Sequence, residues 1–171
     1  MTRHEAREQA LGFIFEGSFK EDTVADIIKF ATLARDLVPD SFAEQLALGV
    51  SEHQSEIDAK IEQYAIGWAK KRLSRVVLTV LRLAFFELLF THDVPDSVII
   101  NEAVELTKQY GTTEDSAFVN GILGAFSRAE RKETEKKPAK RVRTPKSQKI
   151  EHSEDHEEAE QINQTKGAPE E

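Results

Sequence analysis

The sequence predicts an all-α fold, a compact bundle of about six helices followed by a disordered, charged C-terminal tail. Three observations carry this expectation. Apolar residues recur at three- and four-residue spacing through the first 130 positions, with little strand-like alternation. Two of these runs open on a Ser or Thr with a Glu three residues later. From Arg131 onward, large apolar residues become very sparse.

The first helix follows from Thr2 and Glu5, a capping-box pair, and from Ala10, Leu11, Ile14 and Phe15, which form one apolar stripe ending at Gly17. Val24, Ile27, Ile28, Ala31, Ala34 and Val38 make a second helix that Pro39 stops. Ser41 with Glu44 opens a long third helix through Phe42, Leu46, Val50, His53, Ile57, Ile61 and Tyr64, with Gly67 and Trp68 near its end. The run RVVLTVLRLAFFELLF, residues 75–90, is apolar on nearly every side, as befits a central helix surrounded by others. Pro95 ends the next connection. Val98 to Tyr110 forms a fifth helix closed by Gly111, and Phe118, Val119, Ile122, Leu123 and Phe126 mark a sixth.

Charge divides the chain further. The formal net charge is -8, and residues 1–130 alone carry 13 Lys and Arg against 21 Asp and Glu. Residues 131–149 hold nine basic and two acidic residues, whereas 150–171 hold one basic and eight acidic. These two blocks cancel, and they cannot bury enough surface to offset the entropy of ordering. The folded domain is therefore expected at 1–130 and a disordered tail at 131–171. Cysteine is absent, which removes disulfides and thiolate chemistry. The N-terminus is too interrupted by charge for a secretory signal, and the longest apolar run contains Arg82 and Glu87 and is too short to span a bilayer. A soluble, cytoplasmic protein is the expectation.

Catalytic and metal-binding patterns are weak. His53 and Glu56 form one i, i+3 pair, and a metal site in a bundle needs a matching pair on a second helix. No glycine-rich phosphate loop, no G-x-S-x-G and no nucleophile with an evident base is present. No enzyme activity and no cofactor are expected.

A binding role is better supported. In order and spacing, AREQAL, GVSEHQSEID, VLRLAFFEL, VPDSVIINEAVELTKQYG and FVNGIL resemble the NusB family, over about 130 residues. The resemblance implies an all-helical RNA-binding transcription antitermination factor. It also implies pairing with NusE, a small-subunit ribosomal protein, recognition of single-stranded boxA RNA in ribosomal RNA leaders, and indirect association with transcribing RNA polymerase. Family members carry an arginine-rich start to the first helix as an RNA contact, and the matching positions are Arg3, His4 and Arg7. The patch is thinner here, with His4 where arginine is common and Ala117 where lysine often precedes FVNG.

Other candidates stand beside these. Phe118 fits core packing and RNA stacking about equally, since an aromatic at a helix start can sit at the edge of a core. Asn101 and Asn120 read as amides that join buried helices or cap backbone. The RNA surface would be built around that junction, which keeps Asn120 among the RNA-binding candidates. Lys70, Lys71, Arg72 and Arg75 extend the basic surface or form a solvated turn. Two other classes compete: a helical protein-interaction module without RNA binding, which the acidic domain would suit, and the NusB-like accessory domain of certain ribosomal RNA cytosine methyltransferases. The latter enzyme needs an α/β catalytic domain for which the sequence after residue 130 has no composition.

Overall fold

Seven helices make up the regular structure of the described residues. The structure is a computed structural model that describes residues 1–67 and 73–136, with the side chains of residues 131 and 134–136 left aside. In chain order the helices are α1 (Arg3–Gly17), α2 (Val24–Arg35), α3 (Ser41–Glu52), α4 (Gln54–Tyr64), α5 (Arg75–Phe90), α6 (Asp96–Tyr110) and α7 (Thr113–Lys136).

Capping chemistry sets most of the starts. The Thr2 hydroxyl accepts from the Glu5 amide at 3.2 Å, and the Glu5 carboxylate accepts from the Thr2 amide at 2.7 Å, completing the capping box. At α3 the cap is Asp40 rather than Ser41, because its carboxylate reaches the amides of both Phe42 and Ala43. Ser74 caps α5 through the Val77 amide. Before α7, Thr112 and Asp115 exchange side-chain bonds with each other's amides.

Three expected boundaries are corrected. The second helix stops at Arg35, not at Pro39, since Asp36 turns into the left-handed region at φ 51° and Val38 lies exposed. The long third helix is two helices broken at His53, whose φ of -104° and ψ of 14° leave helical geometry. The His53 ring stacks on Phe90 at 4.1 Å, so this residue packs against α5 while the chain changes direction. Finally, α7 continues beyond Glu130 to Lys136. The tail expected to be disordered otherwise falls outside the described residues.

α5 is the hub, packing against α1, α3, α4, α6 and α7. Its Val77, Val80, Leu81, Leu83, Ala84, Phe85 and Phe86 are buried, and Phe85 meets Tyr64 and Phe126 in an aromatic cluster. A close approach of α3 makes this possible. A Cβ on Gly49 would lie 2.1 Å from the Phe86 ring, so only glycine lets α3 settle against it. α1 runs antiparallel to α5, with Arg7 beside Glu87 and Arg75 beside Ser18, and α6 and α7 form an antiparallel pair. No helix of the described residues is long and apolar enough to cross a membrane.

Candidate nucleic-acid interface

The start of α1 is built on a buried ion pair. Arg7 lies on the same stripe as Ala10, Leu11 and Ile14, and is 3 % exposed; Glu87, inside the otherwise apolar α5, is 1 % exposed. Arg7 Nε donates to the two Glu87 carboxylate oxygens at 2.8 and 3.1 Å, and its NH2 nitrogen donates at 2.7 Å. Burial works against the arginine's charge, but the Glu87 bonds and the charges of Glu87 and Glu102 outweigh it and hold the guanidinium above its ordinary pKa. The other guanidinium nitrogen lies 3.8 Å from Glu102 on α6, which also sits 2.8 Å from His4 Nδ1.

Arg7, expected at the RNA contact, is buried and engaged with Glu87 in this structure. Its donors face inward, and its role is to fix α1 against α5. Arg3 remains exposed, with its guanidinium carbon 4.0 Å from the Phe42 ring centroid on α3. His4 is half-buried, with Glu102 as its partner. The three residues thus divide into one exposed cation, one partly covered imidazole and one internal strut.

The remaining candidates scatter. Arg75 is exposed but engaged, donating to the Ser18 carbonyl and lying 4.2 Å over the Phe19 ring. Lys70, Lys71 and Arg72 fall outside the described residues. Phe118 is half-buried and packs against the core, so its ring is divided between core and surface. Asn101 and Asn120 are corrected: both are exposed and line one open groove between α6 and α7, instead of joining buried helices. Along the other edge of α6, Tyr110 and Gln109 bond to Glu8 of α1, and that bond raises the Tyr110 phenol above its ordinary pKa. His53 lies 3.9 Å from Glu56, and no group of three or more metal-ligating residues occurs among the described residues.

Sequence reasoning missed Glu87, Glu102 and Phe42 as supports of the α1 start. The signal was present for the first. Arg7 is the one charged residue on the apolar stripe of α1, and Glu87 is the one carboxylate in the apolar helix, so each needed the other.

Known proteins place this arrangement. The NusB family profile matches residues 4–128. The transcription antitermination protein NusB of Lysinibacillus sphaericus is 40% identical over 130 residues, covering 76% of this chain and 100% of that protein. Its Exiguobacterium counterpart is 43% identical over 124 residues, covering 72% and 95%. Among solved structures, T. maritima NusB aligns with a TM-score of 0.67 at 34% identity, covering 78% of this chain and 98% of that one. A structure of antitermination factors NusB and NusE in complex with dsRNA aligns with a TM-score of 0.66 at 25% identity, covering 75% and 99%. The chain belongs to the NusB family of transcription antitermination proteins, which are not enzymes.

Proposed function

We propose that this chain pairs with a NusE-type ribosomal protein, and that the pair binds single-stranded boxA-like RNA to support transcription of ribosomal RNA. The observation that carries the reading is the start of α1. Its backbone is fixed by the Arg7–Glu87 pair, and it presents Arg3, stacked on Phe42, next to His4. A similar protein whose structure includes NusE and dsRNA supports a NusE-type partner and RNA as a ligand class. A rigid cation positions a phosphate at a defined point, which a mobile one cannot do. Half-buried Phe118 offers ring surface for a base, and exposed Asn120 offers an amide.

The acidic domain limits nonspecific attraction. Preference should therefore come from positioned contacts and from the partner, with the basic residues of 131–149 adding affinity for any RNA. Fluorescence anisotropy with a boxA-like RNA and a scrambled RNA of equal length, with and without the NusE-type protein, tests this. Binding that prefers boxA and tightens with the partner is expected. Capture of the partner with no preference between RNAs would replace this reading with that of a protein-interaction module.

A further inference from the structure

The groove between α6 and α7 encloses about 420 Å³ and is lined by Ser97, Ile100, Asn101, Val104, Asn120, Gly121, Gly124 and Arg128. Three features set it apart from an ordinary seam between helices. Asn101 and Asn120 come from the two helices and enter the same groove, and neither side chain has a hydrogen-bond partner among the described residues. Gly121 and Gly124, one turn apart, leave the α7 backbone bare: a Cβ at Gly121 would meet nothing within 4 Å, and one at Gly124 would meet the Arg128 guanidinium at 3.1 Å. The Arg128 guanidinium therefore lies beside Gly124 and leaves Gly121 uncovered.

Arg128 is also unlike the other arginines whose side chains are described. Arg3 stacks on Phe42, Arg7 pairs with Glu87, Arg35 with Glu16 and Arg82 with Asp58, and Arg75 donates to Ser18. Arg128 has no such partner among the described residues, although the domain around it is acidic.

We infer that this groove is a nucleobase slot for single-stranded RNA, with Asn101 and Asn120 bonding the base edge and Arg128 meeting the adjoining phosphate. The inference rests on the RNA-binding reading above and deepens it. A base is planar, with apolar faces and a polar edge carrying adjacent donors and acceptors. The groove supplies open backbone at Gly121, apolar surface from Ile100 and Val104, and two carboxamides that each offer donors and an acceptor. A guanidinium is the side chain best shaped for phosphate. The slot and the α1 site meet successive residues of α6. Asn101 faces the groove, while its neighbour Glu102 holds His4, so a strand leaving Arg3 and His4 has only to cross α6 to enter it.

The test uses the full chain, a fluorescein-labelled boxA-like single-stranded RNA, a scrambled RNA and the NusE-type partner. Gly121→Leu places a side chain in the slot from a position where a Cβ meets nothing within 4 Å, and its thermal midpoint should hold. It should weaken boxA-like RNA roughly ten- to a hundredfold, the discrimination carried by one good base contact. Asn101→Ala should narrow the preference for boxA over scrambled RNA. Arg128→Gln should weaken both RNAs alike and flatten the slope of log affinity against log salt by about 0.7, one phosphate contact on a single strand. The side-chain amide resonances of Asn101 should shift on adding boxA-like RNA to the wild-type protein. Wild-type RNA preference carried unchanged by all three variants overturns the slot and leaves the RNA-binding reading standing. Loss of partner capture with RNA affinity intact also overturns it, by making the groove a protein surface. Absence of RNA binding by the wild-type pair overturns both readings.

Discussion

Removing Arg7 should cost far more stability than removing an arginine from the surface, and the size follows from what it leaves behind. Glu87 accepts three hydrogen bonds from Arg7 and is 1 % exposed. Arg7→Ala strands that carboxylate in the core beside Val80, Leu83 and Ile99. Summing three charge-assisted bonds at roughly 1.5 to 3 kcal/mol each would overstate the loss. Water follows into the space and the carboxylate can take up a proton, so the expected cost is about 3 to 5 kcal/mol. For a domain of this size that lowers the thermal midpoint by roughly 10 to 20 °C. Arg7→Met combined with Glu87→Leu removes both charges, and should recover most or all of the stability, because two well-packed apolar chains replace a desolvated pair.

The double variant also separates positioning from contact. With α1 still packed, Arg3 and His4 keep their places, and His4 keeps Glu102. Chemical denaturation gives the stability of each variant, and RNA titration of the same proteins gives affinity. If Arg7→Ala costs less than about 1 kcal/mol, the pair behaves as a surface salt bridge and the strut argument is wrong. If the stable double variant loses boxA preference, Arg7 reaches RNA after all.

Three further outcomes follow from the same structure. Gly49→Ala should destabilise by about 1 to 3 kcal/mol despite alanine's better helix propensity, because the new Cβ strikes the Phe86 ring; a neutral or raised denaturation midpoint would show that α3 can move away from α5. Phe118→Ala should cost less stability than the roughly 3 to 5 kcal/mol of a fully buried phenylalanine, while weakening RNA binding by about 1 to 3 kcal/mol, and unchanged RNA affinity in a folded variant removes the stacking role. Arg35 and then Lys20 hold the Glu16 carboxyl down to about 2. A depressed carboxylate stabilises above its unfolded value and loses that contribution as pH falls, so Glu16→Gln should cost under about 1 kcal/mol near neutrality, since the pair is exposed to solvent, and the gap to wild type should close between pH 4.5 and about 2.

Helix positions were legible where local chemistry decides them. The Thr2–Glu5 box, the apolar surround of α5 and the Gly111 stop are each set by residues within one turn, and the structure reproduces them. The break at His53 was not legible, because its cause lies on another helix: Phe90 stacks on the imidazole, and Phe86 demands the bare Gly49 one turn earlier. The apolar spacing from Phe42 to Tyr64 passes through the break almost in phase, so periodicity registered one helix.

The same difference explains the residues of the interface. A charged residue near a helix start reads as surface by default, and Arg3 obeys while Arg7 does not. What decides between them is whether a complementary charge waits in the partner helix, and Glu87 stands 80 positions away. The asparagines fail in the opposite direction. An amide in an apolar helix reads as needing a buried partner, yet Asn101 and Asn120 face the open side of their helices, where the small surface of Gly121 leaves room. In both cases the pattern along one helix gives the polarity of a face but not what lies opposite. The NusB fold supplies that second half, turning one arginine into scaffold and two core-seeming amides into accessible ones. Among the described arginines Arg128 is the one without a protein partner, so the proposed slot predicts that its replacement, more than that of an engaged arginine, lowers RNA affinity.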